Sequence, residues 1–416
     1  MRVYFKTFGC RVNQYETEGL REKLLGDGVT TAVKDYKSAD LCLVNTCTVT
    51  READKDALQL VRRIAKRNPA ARLVVTGCLS TRSPEEIRAA APHALVVSND
   101  EKKNIPSLLG CSAAPEDVGI RGFAGHSRAF VKVQDGCDMR CTYCIIPSVR
   151  PQLSSRPAAS VVAEVNGLVE RGYAEVVLCG VRLGRYLVKD DKGRRVDFIG
   201  LLERLLALDG DFRIRLSSLE ITDITERFLD LFEKNVGKLC PSLHLPLQSG
   251  SEAVLKRMER WYSAGFYKKR IQALRRRGLD IGLFADILVG FPGETELEFE
   301  TGLEFVREMD YSGLHVFRYS ARSGTPAAER QDFVADAEII RRAERMRAFD
   351  RGVRCDFSRK SINSRRRILV EKKGRRLEGL TDHFLRVSLD RDPGPGLHWT
   401  RIVSSDGPAA EAKIEL

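Results

Sequence analysis

Short apolar runs alternate with amphipathic stretches through the first 105 or so residues of the chain. Four of the runs predict buried parallel strands, at Val3–Phe8, Leu41–Val44, Leu73–Thr76 and Ala94–Val97. Three stretches with helical spacing lie between them, at Gln14–Leu25, Glu52–Arg67 and Pro84–Ala90. This strand–helix alternation predicts a doubly wound parallel sheet.

A second β/α series follows residues 111–127, which are rich in Gly, Ala, Pro and Ser and predict a linker. Six strands are predicted, at Ala129–Val133, Glu175–Cys179, Arg213–Ser217, Ser242–Leu247, Ile281–Val289 and Gly313–Tyr319. Five helices are predicted between them, at Ala158–Arg171, Gly200–Leu208, Thr222–Lys234, Ala264–Arg277 and Glu294–Met309. Six strands with right-handed crossovers are too few for a closed eightfold barrel, so they suit a partial (β/α)6 barrel. A helix around Ala335–Arg351 closes it.

Short β-like runs replace this pattern from about Ser361 onward. They are Arg367–Glu371, Leu377–Thr381, Leu385–Leu389 and Trp399–Val403. We interpret them as a small all-β barrel, a type of module that often binds nucleic acid. The predicted organisation is α/β throughout the first two domains: 1–110, the linker 111–127, the barrel domain 128–355, and the β-barrel 356–416.

Composition indicates a cytoplasmic metalloprotein. Apolar residues make up 43% of the chain, yet no run approaches the eighteen or so apolar residues needed to cross a bilayer, so no membrane partner is expected. The N-terminus lacks the basic start and apolar stretch of a signal peptide. Eleven cysteines in such a chain suggest a reducing compartment, where thiols bind metals rather than pair.

The net charge of +12 is concentrated rather than spread. From Arg341 to Arg376 the chain carries fifteen Lys or Arg residues against four Asp or Glu residues. Such a concentration favours a polyanion partner, although a solvated helix face is the simpler alternative. The candidate RNA contacts are Arg365, Arg366, Arg367, Lys372, Lys373, Arg375 and Arg376, and composition alone does not separate RNA from DNA.

Three cysteines stand close together at Cys137, Cys141 and Cys144. Clustered thiolates favour zinc, copper(I) or iron–sulfur clusters. A structural zinc site closes with four ligands, and no second Cys-x-x-Cys or His pair is present to complete one. A [4Fe-4S] cluster held by three cysteines keeps one iron open. The spacing, with the aromatic Tyr143 before the third cysteine, resembles that of radical S-adenosylmethionine enzymes, in which the open iron binds S-adenosylmethionine.

A second triplet follows the first three predicted strands, at Cys10, Cys47 and Cys78. Ligands of an open parallel sheet gather outside the carboxyl ends of its strands, so these sulfurs can form a second metal site. A single cysteine at such a position is more often a small buried side chain. The other five cysteines (Cys42, Cys111, Cys179, Cys240 and Cys355) show no such grouping.

Both triplets in this order resemble the methylthiotransferase family of radical S-adenosylmethionine enzymes over nearly the whole length. Further matches lie at Arg215–Glu220, His244–Gly250, Asp286–Glu294 and Tyr319–Ala327. The resemblance implies an N-terminal domain with an auxiliary [4Fe-4S] cluster on Cys10, Cys47 and Cys78, a radical-generating [4Fe-4S] cluster on the other triplet, and a C-terminal RNA-binding TRAM domain. By motif position, Tyr143, Gln248, Gly290 and Gly293 are candidates for binding S-adenosylmethionine.

Three branches of that family differ in substrate. They modify N6-threonylcarbamoyladenosine in tRNA, N6-isopentenyladenosine in tRNA, or an aspartate of a ribosomal protein. The runs Gly9–Thr17 and Asn45–Thr50 resemble the threonylcarbamoyl branch. The resemblance then implies a radical that removes hydrogen from C2 of the adenine, a second S-adenosylmethionine as methyl donor, and three partners: the tRNA anticodon loop, a reducing electron donor and a sulfur source. The rival from another class is a non-enzymatic metal-cluster RNA-binding protein.

The chain departs from the usual family pattern at a few positions. Pro151 follows Arg150 where glycine is usual, Cys179 and Arg182 replace threonine and asparagine, and Phe284-Ala285 precede Asp286 where threonines are common. None of these changes removes a cluster ligand.

Overall fold

The computed structural model describes residues 1–26, 30–111, 119–373 and 376–415, and their side chains apart from those of residues 372, 373 and 376. The predicted Lys372, Lys373, Arg375 and Arg376 contacts therefore lie outside the described side chains.

The N-terminal domain is a five-stranded parallel sheet. Its strands are β1 (Arg2–Thr7), β2 (Thr31–Val33), β3 (Leu41–Thr46), β4 (Arg72–Gly77) and β5 (Leu95–Val96). Its helices are α1 (Arg11–Leu25), α2 (Arg51–Arg67), α3 (Cys78–Arg82), α4 (Pro84–Ala90) and α5 (Ile105–Leu108). The strand order is β2-β1-β3-β4-β5, so the direction of winding reverses between β1 and β3. The edge strand β2 and the short α3 were not predicted.

Apolar side chains cover both faces of this sheet. One face packs Val44, Val61, Ile64 and Val75, and the other packs Val3, Leu20, Leu43 and Val74. Strand β3 is buried along its whole length, as its continuous apolar run predicts. Helix α2 begins at Thr50, whose hydroxyl accepts a hydrogen bond from the backbone N–H of Ala53.

The second domain contains all six predicted strands, now with observed bounds. Its strands are β6 (Ala129–Asp135), β7 (Ser154–Ser155), β8 (Glu175–Gly180), β9 (Leu187–Lys189), β10 (Arg195–Asp197), β11 (Arg213–Leu216), β12 (Ser242–His244), β13 (Gly282–Val289) and β14 (Gly313–Arg318). Its helices are α6 (Ile146–Val149), α7 (Ala158–Glu170), α8 (Phe198–Leu206), α9 (Glu226–Lys234), α10 (Glu252–Arg257), α11 (Ala264–Arg276), α12 (Glu296–Glu308) and α13 (Asp336–Lys360). The short strands β7, β9 and β10 were not predicted.

The six main strands form one curved parallel wall. Strand β8 lies between β6 and β11, and β13 lies between β12 and β14. Isolated bridges from Ile214 to Leu239 and from Ser218 to His244 join the two halves. Along β13, Leu283, Ala285, Ile287 and Val289 enter the core, whereas Phe284, Asp286 and Leu288 face the other way, into the barrel interior.

The C-terminal domain is a closed five-stranded barrel. It comprises β15 (Arg365–Lys373), β16 (Arg376–Thr381), β17 (Arg386–Leu389), β18 (Leu397–Asp406) and β19 (Ala409–Ile414). Strand β19, which closes the barrel, was not predicted because its Ala-rich sequence lacks β-branched residues except at Ile414. The predicted boundary between residues 355 and 356 falls inside α13, which continues to Lys360.

Two buried arginines of β11 attach this barrel to the partial (β/α)6 barrel. Arg213 donates to the carbonyls of Arg367 and Leu380, and Arg215 donates to those of Thr381 and Asp382. Both arginines also bond the carboxylate of Glu175, which is fully buried. The domains therefore meet through a charged, hydrogen-bonded contact.

The end of the predicted linker is packed rather than free. Ile120 and Phe123 lie in the core of the second domain, and the carboxylate of Glu164 accepts a hydrogen bond from the backbone N–H of Ile120 at 2.7 Å. Tyr15 of α1 also donates to Glu164 at 3.1 Å, so α1 contributes to both domains. Residues 112–118 lie outside the described part. Within the described residues, no helix is long and apolar enough to cross a membrane.

Candidate functional site

The loop that follows β6 carries Cys137, Cys141 and Cys144. Its first turn requires Gly136, which has φ +77°, and a Cβ there would lie 2.0 Å from the carbonyl oxygen of Gln152. The backbone N–H of Cys144 donates to the carbonyl of Cys141 at 3.0 Å, which closes the turn. The charge on Cys141 and Cys137 adds to burial in raising the pKa of Cys144 to about 12. The three cysteines therefore share one short, partly buried loop.

Arg260 lies directly against this triplet. Its Nη1 donates to the Sγ of Cys141 at 3.3 Å, and its Nη2 binds the carboxylate of Glu220 at 2.5 Å. Its guanidinium also stacks over Trp261, with 4.2 Å between the guanidinium carbon and the ring centroid. Although burial raises the pKa of the Cys141 thiol overall, Arg260 lowers it, so the guanidinium favours the thiolate that a metal needs.

The second triplet meets at the carboxyl ends of the N-terminal strands, as predicted. Cys10 follows β1, and Cys47 and Cys78 directly follow β3 and β4. The reversal of winding between β1 and β3 opens a crevice between the first two of these strands. The charge on Cys78 and Cys10 contributes, after burial, to raising the pKa of Cys47 to about 11. Three cysteines that are far apart in sequence thus share one site.

Gly9 allows the Cys10 and Cys47 loops to approach each other closely. It has φ +91°, and a Cβ on it would lie 2.6 Å from the Cβ and 2.8 Å from the Sγ of Cys47. Asn13, which is fully buried, braces both loops by donating to the carbonyls of Phe8 and Thr46, each at 2.9 Å. The loops that carry Cys10 and Cys47 are therefore fixed relative to each other.

A buried ionic network joins the two triplets. Arg150, six residues beyond Cys144, donates to the side-chain oxygen of Asn13 at 2.8 Å and to both carboxylate oxygens of Glu16. Although burial opposes the charged form, the cations around Glu16 hold its pKa well below the usual range. The sequence motifs include Asn13 and Arg150, yet a pairing across 137 positions carries no local sequence pattern.

Two further contacts bring the triplets together. Cys78 packs against Ile145 and Val149, which directly follow the Cys137–Cys144 loop. Arg322, which is 2% exposed, donates to the hydroxyl of Thr48 beside Cys47 at 2.8 Å and pairs with Asp54. The segment Tyr319–Ala327, recognised in the sequence only as a motif, therefore holds the Cys47 loop against the barrel.

Each triplet fits an iron–sulfur cluster that is open at one iron. Each set supplies three free thiols from one loop or one sheet edge, and among the described residues no group of closely spaced ligands with a histidine or fourth cysteine forms a zinc site at either place. The cradle at Gly9 and the guanidinium of Arg260 suit a bulky, anionic cluster. All eleven cysteines are free thiols.

The four residues predicted to bind S-adenosylmethionine occupy two kinds of environment. Tyr143 packs against the cluster of Val254, Met258, Leu288, Phe291 and Ala327, and Gln248 has φ +70° and bridges to β13. Gly290 and Gly293 form a tight turn against other protein: a Cβ at Gly290 would meet Ile339 at 2.4 Å, and one at Gly293 would meet Asp332 at 2.4 Å. Close packing against Ile339 and Asp332 is enough to explain why glycine occurs at these two positions.

The described basic residues of β15 lie against the partial barrel. Arg366 pairs with Asp280, and Arg367 donates to both carboxylate oxygens of Asp211 at 2.7 Å. Asp280 and Asp211 are exposed, whereas the side chains of Arg366 and Arg367 are only 11% and 20% exposed. Trp399 of β18 is 43% exposed between Arg365 and Arg367 and was not singled out from the sequence.

A polar group on the inner face of the barrel was also missed. Asp286 lies between His244 and His315, with its Oδ1 2.9 Å from the Nε2 of His244 and 3.2 Å from the Nδ1 of His315. Ser218 contacts the Nδ1 of His244 at 2.7 Å. Burial raises the pKa of Asp286, but hydrogen bonds from the two histidines hold it below its usual range. Four side chains from four segments carry no common sequence spacing.

The departures from the family pattern have local explanations. Arg182 binds Asp223 at 2.5 Å, and Phe284 packs edge-on against Phe384 of the C-terminal barrel at a centroid distance of 5.5 Å. Cys179 is buried in the core. Pro151 is exposed directly after Arg150.

Comparisons with known proteins agree with this layout. Residues 2–98 match the Uncharacterized protein family UPF0004, and residues 131–306 match the Radical SAM superfamily. The chain is 34% identical over 382 residues to Threonylcarbamoyladenosine tRNA methylthiotransferase MtaB of Thermotoga maritima, covering 89% of this chain and 86% of that protein. It is 33% identical over 391 residues to tRNA-2-methylthio-N(6)-dimethylallyladenosine synthase of Zymomonas mobilis, covering 90% and 87%.

Among solved structures, the radical S-adenosylmethionine methyltransferase TsrM from Kitasatospora setae, with cobalamin and a [4Fe-4S] cluster bound, is similar with a TM-score of 0.57. It is 15% identical, and the match covers 79% of this chain and 77% of that chain, which supports the fold. The two cysteine triplets, the barrel and the full-length relatives agree: the chain belongs to the radical S-adenosylmethionine methylthiotransferase family.

Proposed function

We propose that this enzyme converts N6-threonylcarbamoyladenosine, next to the anticodon of tRNA, to its 2-methylthio derivative. One observation carries the proposal. Contacts made by Arg150, Cys78 and Arg322 hold the two cysteine triplets, which lie in different domains, against each other. Relatives that cover about nine-tenths of this chain are named for that substrate. Other relatives are named for the dimethylallyl (isopentenyl) substrate, which is the second candidate.

The two cysteine triplets are proposed to support two different parts of the reaction. When the two [4Fe-4S] clusters and S-adenosylmethionine are bound, they supply a 5′-deoxyadenosyl radical at Cys137, Cys141 and Cys144 and a transferable sulfur at Cys10, Cys47 and Cys78. In the net change, hydrogen at C2 is replaced by a methylthio group. One S-adenosylmethionine is reductively cleaved to methionine and 5′-deoxyadenosine, and a second gives up its methyl group.

The protein must hold the base between these places. C2 of the adenine has to reach both sites in turn, so small shifts of one triplet relative to the other would slow methylthiolation. The network around Arg150 and Glu16 and the contact of Arg322 with Thr48 restrict such shifts. Tyr143, next to Cys144, and Gln248, which bridges to β13, are our candidates for binding S-adenosylmethionine, together with Gly290 and Gly293.

The C-terminal barrel supplies the RNA contact in this proposal. The base must leave its stack in the anticodon loop, as specific RNA recognition generally requires. Arg365, Arg366 and Arg367 provide charge on β15, and Trp399 beside them offers a surface for stacking. A reducing electron donor and a sulfur source complete the reaction, and thiol-ligated clusters suit the reducing cytoplasm.

The test is nucleoside mass spectrometry of tRNA from a host that lacks its own methylthiotransferases, with and without this gene. We expect a new 2-methylthio-N6-threonylcarbamoyladenosine peak. A methylthio-isopentenyl peak instead would establish the second candidate. The absence of both from cells that contain cluster-loaded protein would contradict a tRNA substrate and direct the test to a ribosomal-protein aspartate.

Two variants separate the cysteine triplets. Cys141→Ala should abolish cleavage of S-adenosylmethionine to 5′-deoxyadenosine, whereas Cys47→Ala should preserve cleavage and stop sulfur insertion. Normal methylthiolation by Cys47→Ala would contradict the two-site reaction, and no cleavage by the reconstituted parent enzyme would favour a non-enzymatic RNA-binding protein.

A further inference from the structure

Arg11 is a cation without a partner at the junction of the two domains. It opens α1 directly after Cys10, and its guanidinium lies over the ring of Phe130 on β6, 5.9 Å from the ring centroid. Among the residues that the structure describes, none accepts a hydrogen bond from it or forms an ion pair with it. Its neighbours Arg128 and Arg215 are both paired with carboxylates.

The surroundings of Arg11 carry an excess of positive charge. Arg128, Arg213 and Arg215 all bind the carboxylate of Glu175, which is fully buried. That carboxylate is therefore already shared among three guanidinium groups. Arg11 is partly buried, and a guanidinium of this kind without a carboxylate partner is suited to an anion that arrives from outside the chain.

The proposed substrate carries such an anion close to the reacting carbon. The threonylcarbamoyl group on N6 ends in a carboxylate, whereas the isopentenyl group of the second candidate is a neutral hydrocarbon. Arginine binds a carboxylate through two parallel, charge-assisted hydrogen bonds. Arg11 directly follows Cys10, so a group bound to its guanidinium lies within one side-chain length of the backbone that carries the proposed sulfur-donating site.

We propose that Arg11 binds the carboxylate of the threonylcarbamoyl group and thereby selects this nucleoside over the isopentenyl one. This inference rests on the proposed function and adds a residue that contacts the substrate. A backbone phosphate of the same tRNA is the other anion that could reach Arg11, and the experiment below distinguishes the two.

The experiment is a cycle that removes the charge from the enzyme, from the substrate, or from both. The enzymes are the parent and Arg11→Gln, and the substrates are anticodon stem-loop RNAs that carry N6-threonylcarbamoyladenosine or its methyl ester. We expect either single change to lower kcat/KM about 100-fold, since each of the two charge-assisted hydrogen bonds is worth roughly tenfold. When one of the two changes is already present, the other should lower kcat/KM by less than about threefold, because the interaction between Arg11 and the carboxylate is already lost.

Controls separate substrate binding from a structural role. Arg63→Gln, which alters an exposed arginine on α2, should behave as the parent with both RNAs. Iron content and the electron paramagnetic resonance spectrum of Arg11→Gln should match those of the parent, and Arg11→Lys should recover part of the lost kcat/KM. These readouts would reveal damage to the neighbouring Cys10 site.

The outcomes are distinct. Equal kcat/KM of the parent enzyme with the acid and the ester would overturn the carboxylate assignment. If the methyl ester lowers kcat/KM as much in Arg11→Gln as in the parent, Arg11 does not bind the carboxylate. If Arg11→Gln lowers kcat/KM but the ester does not, Arg11 binds a phosphate instead. If the parent enzyme methylthiolates neither RNA but does modify the isopentenyl one, the proposed function itself fails.

Discussion

Replacing Glu175 by glutamine should detach the C-terminal barrel from the rest of the enzyme. Glu175 is fully buried and accepts hydrogen bonds from the Nε of Arg213 at 2.7 Å and from the Nε and Nη2 of Arg215 at 2.8 and 3.0 Å. Glutamine has nearly the same shape but no charge, so it leaves two buried cations without their counterion. Breaking a buried ion pair on one side costs about 3–5 kcal/mol.

That cost falls on the domain contact, because the same arginines bind backbone carbonyls of the C-terminal barrel. The assay is urea unfolding of the cluster-loaded enzyme in a Trp261→Phe background. The chain has two tryptophans, so Trp399 then reports on the C-terminal barrel alone. We expect its transition to move to clearly lower urea in Glu175→Gln, with trypsin cutting between the domains sooner. Glu170→Gln, an exposed change on α7, is the matched control.

The pH dependence gives a second check on the same side chain. Burial raises the pKa of Glu175, but Arg215 and Arg213 more than offset it and hold the pKa below its ordinary value of 4.5. A depressed pKa contributes stability above about pH 4.5 that is lost as the pH falls below it. The urea midpoints of parent and Glu175→Gln should therefore converge as the pH falls from about 5 to 3. Equal midpoints at pH 7 would refute the reasoning.

Three further changes test the site and its RNA contact. Gly9→Ala should lower iron content from about eight to about four per chain, because its Cβ would collide with Cys47; full iron content would contradict this. Arg322→Met removes one of the two arginines that pair with the partly buried Asp54, and we expect sulfur insertion to fall while 5′-deoxyadenosine formation continues. Proportional loss of both would argue against a role in positioning the Cys47 loop. Trp399→Ala should weaken tRNA binding by about 1–3 kcal/mol in a filter-binding assay, against the exposed control Val403→Ala; equal affinities would exclude stacking at Trp399.

The parts of the fold with strong local patterns could be predicted from the sequence. All six main strands of the partial barrel were predicted, and β8 and β13 show the continuous apolar run of parallel strands that are buried on both faces. The elements that were missed are short or weakly apolar: β2 is an exposed edge of three residues, and β19 is rich in alanine. The helix was predicted to end at Arg351, directly before Gly352, whereas α13 continues through this glycine to Lys360.

The same distinction between local and long-range patterns decides which parts of the candidate site could be predicted. Cys137, Cys141 and Cys144 are close in sequence, and Cys10, Cys47 and Cys78 share a position relative to their strands, so both triplets could be predicted. Tertiary folding alone brings together His244, Asp286 and His315, or Arg150 and Asn13. The predicted basic stretch could not reveal that Arg366 and Arg367 pair with acidic residues of the neighbouring barrel.

The arrangement of charges explains why the domain contacts include several buried ion pairs. The two triplets must receive anionic clusters and an anionic RNA, so the surrounding elements carry an excess of arginine. Where an arginine serves only to hold domains together, it is paired: Arg150 with Glu16, Arg215 with Glu175, and Arg322 with Asp54. Arg11 follows Cys10 directly and has no carboxylate partner among the described residues. Since buried cations are tolerated only with a counterion, the substrate itself would complete the pairing. Selection for a charged nucleoside would then follow from the same electrostatics that hold the domains together.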